Sequence, residues 1–285
     1  MSADPHRILV VANETVGGRA LIEAVRKHAE EAHEKGRPFH VCVVCPQNQP
    51  KSGFVIYEES VRTAAENRLE TTLAQLREIG IEADGHVMDP DPFAATTDAV
   101  DHYGADQIIV STHPETRSGW LRKHLVDRVA EATGLPVEHV VVDLDAERAD
   151  VTRCLVVANQ TVGGEPLIDL LERKAGEGPH TFVVVCPQGD SDDSGDAHRR
   201  LAHTLERLSE AGLDAVGQVM DPDPFTAIQN ALQFYPADEI VIATFPETRS
   251  GWMRANLVER VERSTSKPVE HVVVTAEQAE EGAAA

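Results

Sequence analysis

The seven-residue stretch PETRSGW occurs twice in the sequence, 132 positions apart. In the first copy, Arg117, Ser118 and Gly119 come directly before a segment, WLRKHLVDRV, with the spacing of an amphipathic helix. A helix start offers free backbone N–H groups and the positive end of the helix dipole, and arginine adds a forked donor for phosphate or carboxylate. The pattern therefore predicts an anion site in each copy. The alternative is that Ser118 only caps the helix and that Arg117 pairs with Glu115.

A second repeated loop, ANxTVGG, follows the first apolar run of each half, at residues 12–18 and 158–164. Its asparagine and threonine can hydrogen-bond the polar edge of a ligand, and its two glycines allow a close approach of the backbone. A tight turn explains the glycines equally well. The loop is neither a Walker loop nor a dinucleotide fingerprint, because no GK[ST] follows and the glycine spacing differs.

A third repeated stretch, MDPDPF, begins at Met88 and again at Met220. Asp91 followed by Pro92 predicts a helix N-cap and a proline at the first helical position. Two carboxylates this close can also hold Mg²⁺, but Mg²⁺ usually needs further oxygen ligands or a phosphate. We therefore predict capping and no metal site, and Asp89 remains the less explained carboxylate.

These loops, with the threonine that ends each fourth apolar run, supply the candidate ligand-binding residues. They are Asn13, Thr15, Gly17, Gly18, Asp89, Thr112, Arg117, Ser118, Gly119, Asn159, Thr161, Gly163, Gly164, Asp221, Thr244, Arg249, Ser250 and Gly251.

Signatures of enzyme chemistry are missing from the sequence. It has no GxSxG elbow, no HExxH and no zinc-type cysteine and histidine spacing. Cys42 and Cys45 match the CxxC spacing, but they lie in an apolar run that reads as a strand, where their side chains point to opposite faces. We expect buried, unreactive cysteines, structural roles for His139 and His271, no catalytic residue and no enzyme activity.

The net charge of −22 arises from 48 acidic and 26 basic residues. Such a surplus repels nucleic acid and anionic membranes, so a bound anion must be held by a local site. No apolar run reaches the ~18 residues of a membrane span, and the amino terminus shows no targeting segment. We expect a cytoplasmic protein with no nucleic-acid or membrane partner.

Internal repetition fixes the expected domain organisation. Residues 86–142 match residues 218–274 without a gap, with 34 identities in 57 positions. By contrast, Lys51 to Asp84 finds no good counterpart in Gly189 to Val216. We predict one domain at 1–145, a linker at 146–150, a second domain at 151–275 and a disordered tail at 276–285.

Within each half, short Val/Ile runs alternate with segments of helical spacing, one of which ends at Gly80. This alternation predicts an α/β fold made of two tandem doubly wound domains, each a five-stranded parallel sheet flanked by helices. Such sheets bind ligands outside the carboxyl ends of their strands. The repeated loops fall at this edge.

The run GHVMDPDPFAATTDAVDHYGADQIIVS, a helix and the strand PVEHVVV resemble the universal stress protein domain, and the resemblance covers both halves. Family members that bind ATP carry spaced glycines after the fourth strand. The early pair of glycines is replaced here by Ser111–Pro114 and Ala243–Pro246, and the late glycine and Ser/Thr by Lys123–His124 and Ala255–Asn256. The first-strand aspartate of such members is Asn13 or Asn159.

The resemblance implies a non-catalytic tandem universal stress protein, with a ligand-binding or regulatory role. Because the glycines are absent, we expect no ATP cofactor held in the family manner, weak ATP affinity and no ATP hydrolysis. The modified pocket would take a small anionic or nucleotide-like ligand, unless the protein is an interaction module with degenerate, empty pockets. The resemblance also implies that the two halves pair about a pseudo-twofold axis through PVEHVVV, and it leaves a further homodimer open.

Overall fold

The computed structural model of the protein describes residues 5–47, 58–114, 120, 124–147, 149–188, 194–246, 251–254 and 256–279. The chain divides into two compact units, Met1–Arg148 and Ala149–Ala285. No helix of the described residues is long and apolar enough to cross a membrane.

The first unit is one parallel sheet with the strand order β3-β2-β1-β4-β5. Its strands are β1 His6–Val11, β2 Phe39–Pro46, β3 Ala83–Met88, β4 Gln107–Thr112 and β5 Val137–Val141. Its helices are α1 Arg19–Glu34, α2 Glu58–Glu78, α3 Pro92–Tyr103, α4 Leu125–Thr133 and α5 Leu144–Glu147.

The second unit repeats this topology, with the order β10-β9-β6-β7-β8. Its strands are β6 Thr152–Val157, β7 His180–Pro187, β8 Ala215–Met220, β9 Glu239–Thr244 and β10 Val269–Val273. Its helices are α6 Glu165–Glu177, α7 Ser194–Glu210, α8 Pro224–Phe234, α9 Gly251–Arg254 and α10 Leu257–Ser264. The predicted α/β class and the two five-stranded parallel sheets are confirmed.

The central strands of each sheet are buried on both faces, which explains why they read as unbroken apolar runs. The edge strands β5 and β10 each expose a valine, Val141 or Val273. In the first unit, Ile8 and Val10 of β1 face a core shared with α1 and α2. Leu9 and Val11 of the same strand face a second core shared with α3 and α4. The described parts of the helices therefore fix the sheet from both sides and leave its carboxyl edge to the loops.

All four cysteines are buried and free, as expected. Cys45 lies in the core on one face of the first sheet and Cys42 in the core on the other. Burial is the main cause that raises the pKa of Cys42 to about 12 and that of Cys45 to about 11. Both thiols are therefore protonated at neutral pH, which makes them poor nucleophiles.

Three details differ from the sequence expectations. The helix predicted across WLRKHLVDRV is interrupted, because His124 has a positive φ of 50° and α4 begins only at Leu125. Asn256 repeats this break with the same φ before α10. Residues 276–279, predicted as part of a disordered tail, form a helical turn in which Ala279 packs on the core.

The third difference concerns the segment for which no counterpart was expected. Helices α2 and α7 occupy the same place in the two units, each packed on the sheet beside the third strand. Leu69 of α2 packs against Gly85 in the same way that Leu201 of α7 packs against Gly217. Leu201 follows Leu69 by 132 positions, and Gly217 follows Gly85 by the same number. The repeat therefore continues without a gap into the helix.

Candidate functional site at the carboxyl edge

The loop after β1 is a turn that is hydrogen-bonded to the neighbouring strand β4. The Thr15 hydroxyl is buried and donates to the Ser111 carbonyl of β4 at 3.2 Å. In the second unit Thr161 donates to the Ala243 carbonyl of β9 at 2.9 Å. Both threonines close the gap at which strand order reverses, and their hydroxyl protons are used within the fold.

The glycine pair of this loop serves conformation and packing. Gly17 has a φ of 74°, which disfavours a side chain. A Cβ on Gly18 would lie 2.2 Å from Cγ1 of Val142, and a Cβ on Gly164 would lie 2.5 Å from Cγ1 of Val274. Gly18 and Gly164 therefore allow the helix start to pack on the chain that leaves the fifth strand, which accounts for both without a ligand.

Asn13 is held by an arginine that sequence reasoning missed. Nη2 of Arg68, on α2, donates to Oδ1 of Asn13 at 3.0 Å. In the second unit Nη2 of Arg200, on α7, donates to Oδ1 of Asn159 at 2.7 Å. Each unit thus places a guanidinium at the carboxyl end of its first strand.

The guanidinium of Arg68 is incompletely satisfied. Its Nε and Nη1 atoms are buried, and neither has a hydrogen-bond partner among the described residues. Its positive charge lies close enough to the Cys45 thiol to oppose the rise of that thiol's pKa caused by burial. Two buried nitrogen donors of a cationic group without an acceptor are costly, which makes Arg68 a candidate ligand contact at this edge.

A signal for these arginines was present in the sequence. Arg68 and Arg200 are 132 positions apart, the same offset as the PETRSGW copies. The helices around them differ at their exposed positions, which hides the repeat when whole segments are compared. Extending the offset of the loops into α2 would have found the pair.

The candidate threonines Thr112 and Thr244 are bound to histidines of the last strand. The Thr112 hydroxyl donates to the His113 carbonyl at 3.0 Å and lies 2.8 Å from Nε2 of His139. Because its single proton goes to the carbonyl, His139 must be the donor in the second contact. Thr244 makes the same contacts with Phe245 and His271. Both histidines have the predicted structural role.

Desolvation acts on one of these histidines. Burial lowers the pKa of His271. The neutral imidazole is therefore favoured in the folded protein, which agrees with a structural hydrogen-bonding role.

The aspartates of MDPDPF stabilise local turns. Asp91 Oδ1 accepts from the Phe93 N–H at 3.0 Å, and Asp223 accepts from Thr226 at 2.9 Å, so the predicted capping is confirmed. Asp89 and Asp221 each accept from the backbone two residues ahead, at 2.8 and 2.9 Å. In the described residues no cluster of three histidines, cysteines or carboxylates forms a metal site.

Most of the PETRSGW motif falls outside the described residues. This holds for Arg117, Ser118, Gly119, Arg249 and Ser250. Gly251 begins the short helix α9, and both tryptophans are partly buried.

One contact between two loops of this edge is present in the first unit and absent from the second. In the first, Nε2 of His113 lies 3.2 Å from Oε2 of Glu14 and so links the loops after β1 and β4. The second unit has Gln160 and Phe245 at these positions. The first site therefore carries a histidine–glutamate contact that the second lacks.

Comparison with known proteins identified one matching family model and several similar solved structures. Residues 5–142 match the model of the universal stress protein family. No curated protein sequence matches the chain.

Among solved structures, a universal stress protein from Archaeoglobus fulgidus is 16% identical, with a TM-score of 0.36, over 95% of this chain and 97% of its own. A second A. fulgidus universal stress protein, in complex with dAMP, is 21% identical over 49% of this chain and 99% of its own, with a TM-score of 0.34. An Arabidopsis thaliana family protein with AMP bound is 15% identical over 50% of this chain and 95% of its own, with a TM-score of 0.33.

Proposed function

Residues 5–142 of the chain belong to the universal stress protein family, and on this basis we propose that the protein is a non-catalytic ligand-binding protein. Each unit would hold one small anionic or nucleotide-like ligand at the carboxyl edge of its sheet. The arginine of the long second helix, Arg68 or Arg200, would be its main contact.

The observation that carries the proposal is the pair of buried nitrogen atoms, Nε and Nη1, in the partly buried Arg68 side chain. Asn13 takes one of its five N–H groups, while Nε and Nη1 have no acceptor among the described residues. A phosphate or carboxylate fits this need, because its oxygens accept in-plane pairs of N–H bonds from a guanidinium. With a net charge of −22 on the chain, such a local cation is also the kind of feature that would retain an anion.

The second unit offers more positive charge at the same place. Arg200 contacts Asn159. Arg207 lies seven residues further along α7 and donates to the Gly163 carbonyl. The first unit has Gln75 in place of Arg207. We therefore expect the second site to bind a given anion more tightly than the first.

The backbone at His124 and Asn256 also favours a modified pocket. Both have a positive φ, which residues other than glycine seldom adopt, and they lie where the family's late Ser/Thr would fall. A ligand smaller than ATP, with one phosphate or carboxylate, is the form that we propose.

The competing function is an interaction module with empty pockets. It is favoured by the use of Thr15, Gly18 and Asp89 within the fold, which leaves fewer groups for a ligand. Under this reading, Arg68 only holds Asn13.

Thermal unfolding with and without inorganic phosphate tests the proposal. We expect phosphate to raise the melting temperature of the wild type, and Arg68→Met to weaken phosphate binding to the first unit by about tenfold or more, because charge-assisted hydrogen bonds are lost. The matched control is Arg62→Met, which removes the same charge from an exposed position of α2. Equal phosphate responses in wild type, Arg68→Met and Arg62→Met would support the empty-pocket reading instead.

A further inference from the structure

The amino edge of the first unit contains a cavity of about 200 Å³, at the opposite end of the strands from the site proposed above. It lies under the end of α3. Its lining residues are Arg7, Ile8, Leu9, His40, Cys42, His102, Tyr103 and Ala105.

Arg7 gives the cavity its charge. Its backbone is engaged by Asp106, whose Oδ2 accepts from the Arg7 N–H at 2.9 Å and whose N–H donates to the Arg7 carbonyl at 2.9 Å. Its guanidinium makes no hydrogen bond or ion pair with any residue that the structure describes. Asp106 lies within ion-pair distance of other groups, His6 at 3.4 Å and Arg37 at 3.9 Å.

The second unit shows what this arginine does when a carboxylate is available. Arg153 is the counterpart of Arg7. Its Nε donates to Oδ2 of Asp238 at 2.9 Å, and its Nη2 donates to Oδ1 at 2.8 Å. Thr152 and Gly178 stand where the first unit has His6 and Arg37, so Asp238 lacks these two competing groups. The repeat therefore provides an internal example of a carboxylate bound by this guanidinium.

The rest of the second unit's amino edge is closed. Phe234, Tyr235 and Ala237 are buried, and the Tyr235 hydroxyl donates to Oε1 of Gln218 at 2.7 Å. Their counterparts in the first unit, His102, Tyr103 and Ala105, are exposed or half-buried. The cavity therefore coincides with the positions at which the first unit departs from the closed arrangement.

We propose that this cavity in the first unit is a second ligand site, for a small carboxylic acid anion. The carboxylate would take the place that Asp238 holds against Arg153, and its apolar body would lie against Leu9 and Tyr103.

The remaining charges are compatible with an anion. Of the carboxylates near the cavity, Asp106 accepts from the backbone N–H of Arg7 at 2.9 Å, and Asp84 of β3 has its Oδ2 3.0 Å from Nε2 of His40. The negative end of the α3 dipole amounts to roughly half a charge, against the full charge of Arg7, and His102 stands in its last turn. A volume of 200 Å³ corresponds to roughly seven waters, so the ligand has on the order of ten non-hydrogen atoms or fewer.

Ligand-observed NMR with sodium benzoate as the probe, against sodium chloride at equal ionic strength, tests this site in the full chain. We expect saturable binding with a Kd on the order of 1 mM for so small a ligand. Arg7→Gln should weaken benzoate binding by about tenfold or more, because the fork-shaped contact is lost. Arg153→Gln is the matched control and should leave benzoate binding unchanged.

Two further measurements separate this site from the carboxyl edge. Arg7→Gln should leave the phosphate response intact, because Arg68 and Arg7 lie at opposite ends of the sheet. His102→Phe with His40→Thr, which copies the second unit, should abolish benzoate binding while the circular dichroism spectrum stays native. The proposal is wrong if wild type shows no saturable benzoate binding, if Arg7→Gln binds as wild type does, or if Arg153→Gln weakens binding equally.

Discussion

The two units agree at one end of their sheets and differ at the other. At the carboxyl edge, both have the same arginine–asparagine contact, the same threonine bridge and the same glycine packed on valine. At the amino edge, histidines contact the carboxylates Asp106 and Glu138 in the first unit. In the second unit a lysine contacts Glu239 and an arginine contacts Asp238. Stability alone can be met by either kind of contact, and the sameness at the carboxyl edge agrees with the anion site that we propose in each unit.

The contacts that hold the first helix to its sheet illustrate the difference. In the first unit His28 lies 2.6 Å from Glu138, whereas in the second Lys174 bridges Glu239 and Glu270 at 3.0 and 2.9 Å. Burial by itself lowers the pKa of Lys174, but its hydrogen bonds to the two glutamates outweigh this effect and raise the pKa above its usual value. The resulting stability is present throughout neutral pH and is lost only as pH rises through that raised pKa.

The largest expected effect comes from breaking the lysine bridge. Lys174→Met leaves two adjacent carboxylates, one of them mostly buried, without their shared cation, and should cost the second unit about 2–3 kcal/mol. His28→Met should cost the first unit no more than about 1 kcal/mol, since Glu138 is more exposed. Urea unfolding followed by hydrogen exchange in each unit measures both values. Equal costs would erase the proposed difference between the amino edges.

A smaller effect tests the sameness at the carboxyl edge. Gly18→Ala and Gly164→Ala should each destabilise their own unit by about 2 kcal/mol, because the new Cβ meets a stiff valine. Adding Val142→Ala to Gly18→Ala should cost less than the sum of the two single changes. Gly176→Ala, in α6 with open space around it, should be neutral or stabilising. Thermal unfolding of the five variants gives the answer, and additive costs for Gly18 and Val142 would refute the packing explanation.

The smallest effect is a pH dependence confined to the second unit. The Arg153 hydrogen bond is the main cause that lowers the pKa of Asp238 to about 2, so its stabilisation is present above the ordinary carboxyl pKa and is lost as pH falls toward 2. Because Asp238 is 43% exposed, Arg153→Gln should cost about 1 kcal/mol at pH 6 and progressively less as pH approaches 2.

Arg7→Gln provides the matched comparison in the first unit. The pKa of Asp106 is also lowered, but mainly by the backbone N–H of Arg7, which this substitution keeps. Urea unfolding across this pH range should therefore detect no acid-dependent change in the first unit. A pH-independent cost of Arg153→Gln would contradict the account of Asp238.

The sequence was sufficient for the fold because each signal was local and repeated. Alternating apolar runs and helical segments predicted the strands and helices, and Asp91 before Pro92 predicted a cap that the structure contains. The break at His124 was not predictable, because glycine is the usual signal for a positive φ and none is present. The 132-residue offset between Arg68 and Arg200 marks the pair as repeated, but its role depends on α2 crossing the end of β1, a tertiary contact that no local pattern encodes.

The central claim is that each unit binds one anion through its second-helix arginine. Titration calorimetry with AMP tests it most directly, using wild type, Arg68→Met, Arg200→Met and the double variant, with Arg199→Met as the exposed control beside Arg200. The account predicts two bound equivalents for wild type and the control, one for each single variant and none for the double variant. The same stoichiometry in all five proteins, or no binding in wild type, would contradict it.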